Sequence, residues 1–189
     1  TLPSILHFIY RRPLYTKIAR GFVIFLSLYF LYSIFQLWYA DTLFAKGERA
    51  SDAGNPGRAY NLLTAASDIN KGEPFYRSEL AFAAAQAAAS LQETDATLSG
   101  ALKEEARLQT EKVLTENPKN VSFLRTAVRT YFELATIDKT YLPKTLQALD
   151  SAISLAPTDP KLFYNKALIL DSMGKKEEEI EVLQQAVKL

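Results

Sequence analysis

Twenty consecutive residues without a charge, GFVIFLSLYFLYSIFQLWYA from Gly21 to Ala40, constrain this chain more than any other feature. In a bilayer core every backbone N–H and C=O must be satisfied within the protein, which leaves a helix as the solution for a single span. Twenty residues at about 1.5 Å each cover the roughly 30 Å of hydrocarbon. A buried core helix is one rival reading, but a helix apolar on every face is rare in so small a domain. A cleaved signal sequence is another. Its apolar stretch usually runs to about 7–15 residues and ends in a small-x-small site, which QLWYADT lacks. The run reads as a transmembrane helix over 21–40, with Trp38 and Tyr39 at the far headgroup layer.

The flanks give a direction. Arg11, Arg12, Lys17 and Arg20 precede the run with no acid, so residues 1–40 carry +4. Residues 41–189 carry 18 bases against 21 acids, or −3, and the two parts sum to the net +1. The positive-inside bias places the basic juxtamembrane segment, 1–20, in the cytoplasm, and 41–189 on the other side. A mildly acidic soluble part excludes the basic footprint that nucleic-acid binding requires. With no cysteine, disulfides and thiolate metal sites are excluded too. The chain starts at Thr1 and its one methionine is Met173, so a processed chain or a piece of a longer one is expected. Leu2–Tyr10 is apolar but too short to span, and reads as an interfacial segment or the end of an earlier helix. His7, the single histidine, sits in that stretch without an orienting partner and reads as a packing residue.

Residues 41–189 repeat. From Ala40, Leu43 stands at position 4, Gly47 at 8, Gly54 at 15, Ala59 at 20, Leu63 at 24 and Ala66 at 27. From Pro160, Phe163, Ala167, Gly174, Leu183 and Ala186 take the same places, while Glu179 stands at 20 where a small residue is expected. Two longer units lie between. In 74–120 the pattern is carried by Leu80, Ala81, Ala84, Ala106, Thr110 and Val113, with the excess assigned to a polar insertion around LQETDATLSG. In 121–159 it is carried by Phe123, Ala127, Tyr131, Thr145, Leu149 and Ala152, with the excess in TIDKTYLPK. Small residues let antiparallel helices approach closely, and larger ones fill the space between successive hairpins. One hairpin cannot bury its apolar face alone, so hairpins stack.

This pattern resembles the tetratricopeptide repeat. The expected fold is all-α: a transmembrane helix followed by an α-solenoid of about four hairpins (units 40–73, 74–120, 121–159 and 160–189). An unrelated helical bundle with alanine-rich seams is the competing reading. The first helix of unit 40–73 is expected to continue from the apolar helix without a linker. Gly54 should supply the helix exit, and Pro56 the start of the second helix.

No motif for chemistry emerges. There is no nucleotide-binding glycine loop, no paired histidines and no Ser/His/Asp set, so no catalytic residue, cofactor or metal site is assigned. The acidic run KKEEEIE reads as a solvated helix start with pairs such as Lys175–Glu179. In tetratricopeptide arrays the inner groove is lined by first-helix positions near 2, 5, 9 and 12. The resemblance therefore points to Ser122, Arg125, Arg129 and Phe132, and to Lys161, Tyr164, Leu168 and Asp171. Arg125, Arg129 and Lys161 would make a basic patch for an acidic peptide or an anionic glycan carrier. An ordinary solvated face is the alternative. The Lys/Asn set with which some members clamp a C-terminal carboxylate is not reproduced.

The basic flank, the aromatic-rich span and the passage YADTLFAKGERASDAGNPGRAYNLLTAASDIN also resemble the tail of bacterial O-antigen ligase/polymerase-type membrane proteins, as does KGEPFYRSELA. That resemblance implies a glycan-transferring parent at the outer face of the inner membrane, with catalytic residues in loops between earlier spans and none in 1–189. A stand-alone single-span scaffold is the other expectation. The last unit stops at position 30 without a polar capping helix, which predicts that its exposed end meets further chain or another copy.

Overall fold

The computed structural model describes residues 13–188, with side chains from Tyr15 onward. The expectations for Leu2–Tyr10, His7, Arg11 and Arg12 lie outside the described residues. Eight α-helices and one 3₁₀ turn make up the described chain: α1 (Pro13–Asp52), α2 (Pro56–Ile69), α3 (Pro74–Leu91), α4 (Ala96–Glu116), α5 (Val121–Ile137), the 3₁₀ turn (Lys139–Tyr141), α6 (Leu142–Leu155), α7 (Pro160–Ser172) and α8 (Lys176–Ala186). The chain divides into two compact units, Thr1–Tyr39 and Ala40–Leu189.

In the first unit the apolar run lies inside α1, and it is the one candidate span among the described residues. Its large side chains are exposed around the helix, Phe22, Phe25, Leu31 and Ile34 all at 60% or more. Such a surface is not stable against water, and burial in lipid or protein would relieve it.

The second unit is built from helices with explicit start signals. Asn55 accepts from the Arg58 amide at 3.2 Å ahead of Pro56, and Glu73 accepts from the Phe75 amide at 3.1 Å ahead of Pro74. Asp95, Asn120 and Asp159 cap α4, α5 and α7 in the same way. Each such cap satisfies an orphan N–H at a helix start. Gly54 and Gly174 close α1 and α7 at φ +70 and +74, a left-handed conformation open to glycine.

Packing follows the repeat. Gly47, Ala59, Leu63 and Ala66 are buried, as are all six pattern residues of 74–120 and all six of 121–159. A Cβ on Gly47 would come within 2.7 Å of Leu63 Cγ, which shows why position 8 is small. Helix α3 is the spine of this unit. Ala81, Ala83, Ala84, Ala85, Ala87 and Ala88 are all nearly inaccessible, and α3 packs on α2, α4 and α5 together. Ser99 donates to the Ala88 carbonyl at 2.7 Å across the α3–α4 contact, and among the described residues no buried side-chain polar atom lacks a partner.

Two expectations are corrected. The extra residues of unit 74–120 form no inserted loop. They lengthen its two helices to 18 and 21 residues, because Asp95 caps α4 directly after a short turn and the helix tolerates Gly100 in open space. Lys175 pairs with Glu178 at 2.7 Å, and Glu179 pairs instead with Lys176 at 3.2 Å. The excess of 121–159 does form a separate element, the 3₁₀ turn, started by Asp138 accepting from the Thr140 amide at 3.0 Å.

Candidate interaction face

Helices α5 and α7 present their non-core side to solvent. Ser122, Arg125, Arg129 and Phe132 on α5 are exposed, while their neighbours Phe123, Leu124, Val128 and Tyr131 are buried. Lys161, Tyr164, Leu168 and Asp171 on α7 are likewise exposed beside buried Leu162, Ala167 and Leu170. The spacing that separates the two sets is the helical repeat. A cleft of about 420 Å³ opens between the two helices, lined by Arg125, Arg129, Asp159, Lys161 and Asn165 over Leu149 and Leu162.

The arginines of this face are already engaged. Arg125 is ion-paired with Asp159, the cap of α7. Arg129 lies with its guanidinium carbon 3.9 Å from the centre of the Phe82 ring and reaches Glu79 at 3.7 Å. Glu79 also accepts from the Thr126 hydroxyl at 3.1 Å. Arg125, Arg129 and Lys161 thus stand among the carboxylates of Asp159 and Glu79, and the face is mixed in charge.

The face continues past α5. A second cleft, about 350 Å³, is lined by Glu48, Arg49, Ser51 and Asp52 of α1 with Glu79 and Arg129. Burial, reinforced by nearby Glu79 and Asp52, raises the Glu48 carboxyl above its ordinary range. Ser51 donates to Gln86 at 2.6 Å. Beside it, aromatic rings run from helix to helix: Phe44 stacks on Tyr76 at 4.8 Å, Phe75 lies 5.3 Å from Phe44, and Phe123 lies 6.5 Å from Phe75.

No protein-family model matches the chain, and no curated protein matches it. Solved structures do. A thermophilic tetratricopeptide protein of Thermus thermophilus, TTC0263, superposes with a TM-score of 0.60 at 19% identity, over 79% of this chain and 74% of that one. The fold is a tetratricopeptide-like solenoid. Two further likenesses agree: MamA AMB-1, at 18% identity and TM-score 0.55 over 79% and 78% of the two chains, and the MamA RS-1 ArsTM double mutant, at 22% and 0.54 over 79% and 74%.

Within this tetratricopeptide-like frame, some residues that the sequence reading passed over had a signal. Glu48 and Ser51 hold positions 9 and 12 of the first repeat, and Phe82 holds position 9 of the second. These are the same groove positions that single out Arg129 and Phe132 in the third. Glu79 and Asp159 carried no such mark, since their roles come from pairing across helices.

The opposite side carries a third cleft, about 320 Å³, between Glu111 and Leu114 of α4, Leu124 and Tyr131 of α5 and Lys144 and Gln147 of α6. Lys144 bonds Glu111 at 2.8 Å there, and Arg107 bonds it from its own helix. Burial pushes the Glu111 carboxyl up, but these two cations more than offset it and hold it below the ordinary range.

In the first unit, Arg20 is exposed, and Trp38 and Tyr39 lie at the far end of the run, 59% and 45% exposed. Both flank Phe35, with ring centres 5.7 and 6.4 Å away. Among the described residues no cluster of three or more His, Asp or Glu is placed to hold a metal.

Proposed function

We propose that this chain is a membrane-anchored scaffold whose solenoid holds a protein or peptide segment along the face of α1, α3, α5 and α7. The observation that carries this reading is the exposure of Arg125, Arg129, Phe132, Lys161, Tyr164 and Leu168 on two helices that line one cleft. Phe132, Tyr164 and Leu168 leave 44–54% of their surface open there. Aromatic and arginine side chains around a cleft are the usual anchors of a protein interface. The mixed charge of the face suits a polypeptide with charges of both signs better than a polyanionic glycan or glycan carrier. Helix α1 supplies the anchor, with the acid-free basic flank ahead of it favouring a solenoid outside the cytoplasm.

The test is capture from solubilised membranes by the full chain, compared with an Arg125→Glu/Arg129→Glu variant. Loss of a specific bound polypeptide with unchanged helicity supports the face. Undiminished capture moves the binding site elsewhere.

A link to glycan transfer rests only on the resemblance of 39–81 and its basic, aromatic-rich lead to O-antigen ligase/polymerase-type tails. The stand-alone scaffold needs no such link. Co-purification with a lipid-linked glycan polymerising activity would favour the former.

A further inference from the structure

The apolar run is one-sided in a way its hydropathy conceals. Successive residues turn by about 100° around a helix, so Tyr29, Tyr32, Ser33 and Gln36 fall within about 100° of one another. They form a polar seam through the middle and outer half of the span. The helix itself ties the seam together. The Gln36 amide donates to the Tyr32 hydroxyl, and the Ser33 hydroxyl donates to the Tyr29 carbonyl at 2.9 Å. The face opposite is Val23, Phe30, Leu31 and Ile34, with Ser27 about 180° from Gln36.

Lipid tails offer no hydrogen bonds. Gln36 has two N–H donors and a carbonyl acceptor, and its bond to Tyr32 uses one donor. The remaining donor and the acceptor must find partners within the bilayer or remain unsatisfied at a cost. An identical seam is its own complement. An amide that both donates and accepts pairs with its symmetry mate across a two-fold axis, and two hydroxyls can do the same. The seam carries no charge, so copies do not repel, and both copies insert with the same topology, which makes the pair parallel.

We infer that residues 21–40 associate with a second copy of the same helix, seam to seam, through Gln36 and Tyr32 within the membrane. This rests on the reading of α1 as a membrane anchor, and the test separates the two.

The chain has no cysteine, so single cysteines report contacts cleanly. The full chain is expressed with Tyr29→Cys, Ser33→Cys, Ser27→Cys or Ile34→Cys and oxidised in native membranes. The membranes are then washed with alkaline carbonate. Disulfide-linked dimers are expected from Tyr29→Cys and Ser33→Cys and not from Ser27→Cys or Ile34→Cys. Adding Gln36→Leu to Tyr29→Cys should weaken association about threefold to thirtyfold, the range expected for one interhelical polar contact. Carbonate-resistant chain with no preference for the seam overturns the inference and leaves the anchor standing. A crosslinked product of a mass other than twice the chain's overturns the second copy as partner. Release of the chain by carbonate overturns the anchor, and the inference with it.

Discussion

Arg129 lies over Phe82, with its guanidinium carbon 3.9 Å from the ring centre, and it covers a ring left only 8% accessible. The two residues come from α5 and α3, in different repeats. The contact therefore welds the candidate binding face to the spine beneath it. A half-exposed cation over an aromatic face stabilises by about 0.5–1 kcal/mol. Arg129→Ala should lower stability by that order, and in a Phe82→Leu background most of the loss should vanish. A double-mutant cycle by denaturant unfolding measures it. Equal losses in both backgrounds would show that the stacking contributes nothing.

Glycines at two positions should respond with opposite sign. Gly47→Ala drives a methyl into buried Leu63, and overpacking of this kind costs about 1–3 kcal/mol, against a gain of about 1 kcal/mol in helix propensity. A net loss is expected. At Gly100, inside α4, a Cβ meets nothing within 4 Å, so Gly100→Ala should stabilise by about 0.5–1 kcal/mol. Thermal unfolding of the two variants settles both signs.

Removing a helix start should be costly at α5. Asn120 accepts from the amides of Ser122 at 2.9 Å and Phe123 at 3.3 Å. Asn120→Ala should cost about 1 kcal/mol, while Asn120→Asp keeps the acceptor and most of the stability. Far-ultraviolet dichroism with urea reads the difference.

Alkaline pH should loosen the solenoid. Burial, with the bond to Glu105, raises the Tyr60 phenol to about 12. Burial, with Glu111 nearby, raises Tyr131 to about 12. In the unfolded chain both ionise near 10. Between those values the unfolded state loses its protons first, so stability present below about pH 10 declines as the pH rises toward 12. Tyr131→Phe should flatten the fall of Tm over that window. An unchanged slope would place the alkaline loss in other groups.

The exposed face of α8 should be sticky. Ile180 in α8 and Val187 just after it hold the places that Leu146 and Ile153 hold in α6. The latter pair is partly buried against the neighbouring cores, whereas Ile180 and Val187 are 55% and 87% exposed beside a cleft of about 380 Å³. Ile180→Lys with Val187→Lys should leave Tm unchanged and reduce self-association in light scattering. A fall in Tm would show that both residues already pack within the hairpin.

The hairpins were legible because their signal is steric and local. Ala81, Ala106, Ala127 and Thr145 are small residues at the positions where the repeat brings two backbones together, and all four are buried. The exposed face was legible in part, since Arg125, Arg129 and Tyr164 lie at spacings that helical geometry forces outward. What lies opposite them was not. Asp159 is 34 residues from Arg125 and Glu79 is 50 from Arg129, separations set by how hairpins stack and not by any local pattern. The second repeat misled for a related reason. QETD and Gly100 look like a loop one residue at a time, yet Asp95 serves as a cap and the glycine costs a long helix little.

The methyl-lined spine of α3 has a consequence for how such a protein can change. Its alanines are held by contact on three sides and admit almost no other side chain, while the residues that face outward from α5 and α7 touch that spine at few points. Address and architecture are thus written in different letters. A new partner can be acquired by rewriting the outward face, and apart from Arg129 the scaffold beneath would register little of the edit.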